Sequence, residues 1–216
     1  ADQDGLDVRL NQQVSGVTRV GAGFRVSLSG GDEIVCDALT LAVPPDVAAA
    51  LIPAGLPDAS ALAAGIGVAE IETLVLAVPA RDLNHRRLPS LAGLISVDDV
   101  FYSAVSRDYV PDPLWRGFAF HFQPGVLGPA DQLKLACRAL GVGTDRVAEV
   151  AHAANRLPAL RTGHADLVAR LDQALAGTRL GITGNWFIGV SIEDCLTRSR
   201  KEVDRLFSGR SESPAA

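Results

Sequence analysis

The sequence predicts an α+β protein, and three observations carry that expectation. Short apolar segments punctuated by glycine pairs fill residues 7–43. A strand-rich middle follows, in which Trp115–Phe122 alternates aromatic and small side chains. Towards the C-terminus apolar residues recur at helical spacing, as at Leu167, Val168, Leu171 and Leu175. With 216 residues, 48% of them hydrophobic and 21% charged, the chain can bury a sizeable core in one or two domains.

Each element has its own signal. Asp7 to Val20 reads as a strand, Gly21-Ala22-Gly23 as a turn, and Phe24–Leu28 as a strand of period two. Gly30-Gly31 makes a second turn. Ile34 to Val43 is almost continuously apolar, as expected of a strand buried on both faces. Pro44-Pro45 ends it, and Asp46 is placed to cap a short helix through Leu51. Pro53–Ala61 reads as a loop and Gly67–Val78 as a strand. Two further strands are expected around Val97-Asp98-Asp99 within Leu91–Ser106, and another at Trp115–Phe122. Pro129–Leu140, Thr144–Val150 and Gly163–Leu175 read as amphipathic helices. The last helix runs from Ser191 to Phe207, and Ser208–Ala216 is a small, polar tail expected to be disordered.

Composition narrows the function classes. A net charge of −5 offers no basic footprint for nucleic acid. No apolar run reaches the roughly 18 residues of a membrane span. No signal peptide is visible, and a chain without methionine that begins Ala1-Asp2 fits a fragment or a processed product. Three widely spaced cysteines form neither a Cys-x-x-Cys pair nor an even-numbered framework, so a reducing compartment is expected. Cys36 and Cys137 read as small core residues. Cys195 falls in a first helical turn, where a thiol pKa can be lowered, although packing is the simpler account. His85, His121, His152 and His164 lack metal-ligand spacing, and Ser191 is not in a Gly-x-Ser-x-Gly elbow. Gly21-Ala22-Gly23 lacks the third glycine of a dinucleotide fingerprint and leads into a strand.

The segment Leu180–Cys195 carries the chemistry. An apolar run meets Gly184-Asn185, then Gly189, then a helix announced by the capping pattern Ser191-x-x-Asp194. The helix start presents unpaired amides and the positive end of a dipole, suited to a phosphate or an electron-rich ring oxygen. An ordinary capped helix after a strand accounts for the same residues.

This segment resembles the C-terminal flavin motif of the protoporphyrinogen oxidase, phytoene desaturase and amine oxidase superfamily. Asp37–Pro45 is similar to the same superfamily's aspartate, apolar strand and Ala-x-Pro signature, with Cys36 in place of the usual small residue. Asn155–His164 resembles the Pro and Gly-His approach of protoporphyrinogen oxidases. The resemblance implies FAD as cofactor, with Gly184, Asn185, Gly189, Val190 and Ser191 at the flavin and the Val14 backbone at the adenine. It also implies a discontinuous partial FAD-binding α/β domain over residues 1–50 and 151–207, and a mixed-sheet substrate domain over 51–150. Arg107, Arg116 and His164 are the substrate-side candidates, although a sheet with exposed arginines explains the first two as well.

The implied activity is hydride transfer from substrate to flavin. Tetrapyrroles like protoporphyrinogen rank first as substrate, polyenes second and amines third. No Gly-x-Gly-x-x-Gly segment occurs, so the chain alone is expected to bind FAD weakly or not at all. A non-catalytic remnant or interaction module is the alternative. The remaining expectations are an apolar or tetrapyrrole-like small molecule as partner, no nucleic acid, and a cytoplasmic location, free or peripheral at a membrane. Self-association fits the apolar surface that a missing phosphate-binding unit would leave.

Overall fold

The computed structural model describes residues 5–86, 92–98, 100–108, 110 and 112–207. In chain order come strands β1 (Val14–Val20), β2 (Gly23–Leu28), β3 (Glu33–Cys36) and β4 (Leu39–Leu41), then helices α1 (Pro45–Leu51) and α2 (Pro57–Ala64). Strands β5 (Val68–Pro79), β6 (Gly93–Leu94), β7 (Ser103–Ser106) and β8 (Trp115–Phe122) precede α3 (Pro129–Leu140). The chain closes with β9 (Glu149–Pro158), α4 (His164–Leu175), β10 (Leu180–Ile182) and α5 (Ile192–Phe207). The fold is α+β, as expected, and it divides into two compact units, residues 1–68 with 158–216 and residues 69–157. These divisions fall beyond the expected boundaries at 50 and 151.

In the first unit, β1, β2 and β3 form an antiparallel sheet. The Gly21-Ala22 hairpin needs φ of 58° at Gly21, which glycine adopts without strain. Gly23 is required for a different reason: a Cβ there would lie 2.3 Å from the Cys36 carbonyl oxygen. Beside this sheet, β4 pairs parallel with β10 in the register Leu39–Leu180 to Leu41–Ile182. Residues about 140 positions apart are thereby joined, so the Asp37 segment and the Leu180 segment share one sheet. Phe24, Val26, Leu41, Leu171, Leu180, Ile182, Trp186 and Phe187 are buried together in the unit's core.

Several local expectations need correction. Strand pairing begins at Val14, not Asp7. The apolar run Ile34–Val43 is two short strands broken at Asp37, and Val35 is 65% exposed. Asp46 lies in the first turn of α1 without capping it; Pro44 is the N-cap residue and Pro45 opens the helix. The loop expected at Pro53–Ala61 contains α2, which Pro57 opens at N1, where the missing N–H costs nothing. Ala59 and Ala63 of that helix are buried in the same core as Leu171.

The second unit is a five-stranded sheet in the order β6-β7-β8-β5-β9. Strand β8 pairs antiparallel with β5 over Glu72–Phe122 to Pro79–Trp115, and with β7 on its other side. Leu74, Leu76, Phe118, Phe120 and Phe122 form its core with Ala136 and Leu140 of α3. Phe101 meets Phe120 edge-on at 5.2 Å, a favourable aromatic geometry. The helix expected at Thr144–Val150 is only a 3-10 turn over Thr144–Arg146 that leads into β9. Almost every residue of β9 is exposed, so it carries no apolar alternation. The tail at 208–216, and Leu91 and Asp99 of the middle segment, lie outside the described residues.

Candidate functional site

The site candidate is the crossover from β10 into α5, in the first unit. The outer edge of β10 meets side chains of α5 instead of another strand. Arg205 Nη2 donates to Leu180 O (2.6 Å), Arg198 Nε donates to Ile182 O (3.0 Å), and Ile182 N–H donates to a Glu202 carboxylate oxygen (3.2 Å). A strand edge otherwise open to pairing is closed by this ladder. Arg198 and Glu202 are 1% and 2% exposed, and their charged groups stand 3.1 Å apart. Arg198 also donates to Asp172 of α4 (2.7 Å), and Lys201 donates to the other Asp172 oxygen (2.8 Å). Burial pushes the Asp172 carboxyl up, but hydrogen bonds and positive charge from Lys201 and Arg198 outweigh it and hold the group below its ordinary value.

The loop above this ladder is held at several points. Trp186 Nε1–H donates to Val43 O (3.0 Å), which ties the loop to the chain leaving β4. The Trp186 and Phe187 rings stack at 4.0 Å, and the Arg198 guanidinium lies 3.8 Å from the Phe187 ring centre. His164 Nε2–H donates to Phe187 O (3.2 Å). At the start of α5, Ser191 N–H and Oγ–H donate to Asp194 Oδ2 (3.2 and 2.6 Å), and Asp194 N–H donates back to Ser191 Oγ (3.1 Å). This is the reciprocal cap that the Ser-x-x-Asp pattern predicts.

Gly184, Asn185, Gly189, Val190 and Ser191 thus share one loop, and His164 is hydrogen-bonded to it. Both glycines also answer to contacts inside the loop itself. Gly184 has φ of 147°, and a Cβ there would lie 3.0 Å from Trp186 Nε1. A Cβ on Gly189 would lie 2.3 Å from Asp194 Oδ2. Each glycine makes room for the loop's own side chain. Val14 opens β1, in the other sheet of the same unit, and sits beside a pairing irregularity between Val14 and Gly16. Arg107 and Arg116 belong to the second unit. Arg116 is buried in an ion pair with Asp108 and lies over Phe118, so it is committed within its own unit. Arg107 is exposed.

Ile188, Val190 and Ile192 are 58%, 65% and 81% exposed around the start of α5. The amides of Ile192 and Glu193, at the first two helical positions, have no intrahelical acceptor by construction. Glu193 and Asp194 put carboxylates in that first turn. Two carboxylates disfavour a dianionic phosphate there.

Arg198, Glu202 and Asp172 escaped the sequence reading. The available signal was Arg198 and Glu202 at i and i+4 in a helix following a capped start, a spacing that also describes an ordinary exposed pair. Burial pushes the Cys36 thiol up, helped by Asp37, and does the same to Cys137 beside Asp145, so neither is an activated nucleophile. Among the described residues no cluster of His, Cys, Asp or Glu could hold a metal, and no helix is long and apolar enough to cross a membrane.

Comparison with known proteins places this geometry. The structure is similar to that of a protein from Exiguobacterium sp. 255-15 described as a candidate protoporphyrinogen oxidase, with a TM-score of 0.72 and 17% identity over 94% of this chain and 48% of that one. It is also similar to cyclohexylamine oxidase from Brevibacterium oxydans IH-35A, with a TM-score of 0.66 and 12% identity over 91% of this chain and 48% of that one. A putrescine oxidase variant gives a TM-score of 0.68 and 13% identity over 92% and 49% of the respective chains. At these identities the likeness is one of fold, and the chain spans about half the length of these structures. No curated protein matches the chain. The family model of flavin-containing amine oxidoreductases matches residues 1–113, more than half of the 216, and the chain belongs to that family.

Proposed function

We propose that the Gly184–Ser191 loop and the start of α5 take the pyrimidine end of an FAD ring, in a protein that oxidises its substrate by hydride transfer to the flavin. The observation that carries this reading is the run of exposed apolar side chains Ile188, Val190 and Ile192 beside the amides that open α5, in a chain of a flavin family. Bound flavin supplies the electron sink. The chain's own part is positional and electrostatic. Ile188 and Val190 exclude water from one ring face. The Ile192 and Glu193 amides would donate to a ring oxygen of the bound flavin. Val14 offers backbone to the adenine end. A protoporphyrinogen-like tetrapyrrole is the first substrate to assay, ahead of a polyene and an amine, on the resemblance of Asn155–His164 to protoporphyrinogen oxidases.

The test is an FAD titration of the purified chain followed by flavin fluorescence. These residues contain no Gly-x-Gly-x-x-Gly segment for the diphosphate, and two missing charge-assisted bonds weaken binding about a hundredfold or more. Weak but saturable binding is therefore expected, and Val190→Asp is expected to abolish it with no change in the unfolding midpoint. Binding indifferent to Val190→Asp would place the ring elsewhere. A parent that takes up no FAD at millimolar concentration would favour a non-catalytic interaction module.

A further inference from the structure

Phe187 is gripped at both its ring and its carbonyl. The Trp186 ring lies 4.0 Å from the Phe187 ring centre and the Arg198 guanidinium 3.8 Å from it. Two flat groups cannot share one face at those distances, so they take opposite faces. The Phe187 carbonyl accepts from His164 Nε2, which must carry the hydrogen because a carbonyl only accepts. Helix α4 supplies both restraints: His164 is its first residue, and Asp172, two turns on, holds Arg198 in place. Arg198 is 1% exposed and out of reach of solvent, and His164 Nε2 is committed to Phe187.

We infer that His164 and Arg198 are positioning residues for the flavin loop: His164 fixes the Phe187 backbone, Arg198 fixes its ring, and together they set the path of Ile188–Ser191. This assigns His164 Nε2 to the loop backbone, a role the sequence context did not suggest. Only the consequence for FAD rests on the cofactor reading; the bracing itself stands on the contacts named above. Side-chain chemistry makes the two residues separable. A glutamine at 164 reaches about as far as imidazole Nε2 and can donate to the carbonyl, whereas alanine cannot. A lysine at 198 keeps a charge for Asp172 but loses the planar face that lies on Phe187.

The experiment uses the full chain in a Trp115→Phe background, which leaves Trp186 as its single tryptophan. Trp186 is 0% exposed, so acrylamide quenches it poorly in the parent. His164→Ala is expected to raise that quenching several-fold and to shift the emission to the red, with far-UV circular dichroism unchanged. His164→Gln is expected to restore both signals. The FAD dissociation constant should rise about tenfold in His164→Ala and return in His164→Gln. Arg198→Lys serves as the second variant and is expected to alter the near-UV signal of the Trp186–Phe187 stack. Unchanged Trp186 quenching in His164→Ala, or a His164→Gln variant that behaves like alanine, would overturn the inference. A parent that fails to bind FAD would overturn the cofactor reading instead, and Trp186 quenching would still decide the bracing role.

Discussion

Removing the Arg198 guanidinium while keeping its stem, as in Arg198→Met, tests whether α5 is held on β10 by ion pairing or by apolar packing. The substitution takes the donor from Ile182 O, one partner from Glu202, one from Asp172 and the cation from Phe187. Breaking a buried pair costs about 3–5 kcal/mol when the surviving charge is left alone. Here the survivors are not alone. Glu202 keeps Arg205 at 2.8 Å and the Ile182 amide, and Asp172 keeps Lys201 at 2.8 Å. The Ile182 carbonyl alone is left buried without its side-chain donor, a loss of about 1–3 kcal/mol. The expected destabilisation therefore sits at the low end of the pair range, about 3 kcal/mol. Lys201→Met is the comparison: that side chain is 62% exposed, and its pair with Asp172 is worth about 1 kcal/mol or less. Urea unfolding followed by Trp186 fluorescence, with Trp115 replaced by Phe, reports on the first unit alone, because Trp115 lies in the second. A loss below about 1 kcal/mol for Arg198→Met, no larger than for Lys201→Met, would refute the reasoning. It would mean that Leu180, Ile182 and their apolar neighbours hold the helix by themselves.

Other perturbations follow from the same geometry. Because the Asp172 carboxyl is held below its ordinary value, its contribution is fully present above the unfolded carboxylate pKa of about 3.9 and is lost as pH falls through the folded value. The urea midpoint of the first unit should thus fall as the pH drops below about 4 and through the folded value, and fall less in Asp172→Asn; equal slopes would sink this account. Gly189→Ala pushes a Cβ into Asp194 and should cost about 1 kcal/mol, like loss of a helix cap. Combined with Asp194→Ala it should cost little more than either change alone, and strict additivity in thermal melts would show that the two do not act through one cap. In the second unit, Arg116→Ala and Asp108→Ala should each destabilise by about 3 kcal/mol, with a double variant well below the sum. Independent effects in a urea double-mutant cycle would argue that the pair is not coupled.

Local pattern sufficed for much of this protein. Trp115–Phe122 and Pro129–Leu140 match β8 and α3 at both ends, because a regular period and a leading proline are written in consecutive residues. The cap Ser191–Asp194 was equally legible, since both partners lie within one turn. Flavin-family membership could be read from Asp37–Pro45 and Leu180–Cys195 for a related reason: each motif is a compact run. What depended on partners distant in sequence was not legible. Strand β9 is exposed on nearly all its residues, so it has no periodicity and is defined by pairing with β5. Helix α2 is short, and its Pro-Asp-Ala-Ser start reads equally as a turn until α4 buries Ala59 and Ala63. The meaning of Gly184 and Gly189 also had to wait for the fold. A glycine's lack of a Cβ announces a close approach without saying by what, and here the approaching groups are Trp186 and Asp194. The i, i+4 spacing of Arg198 and Glu202 also describes an exposed helical pair, and only the closure of the β10 edge against α5 makes them buried partners of a strand.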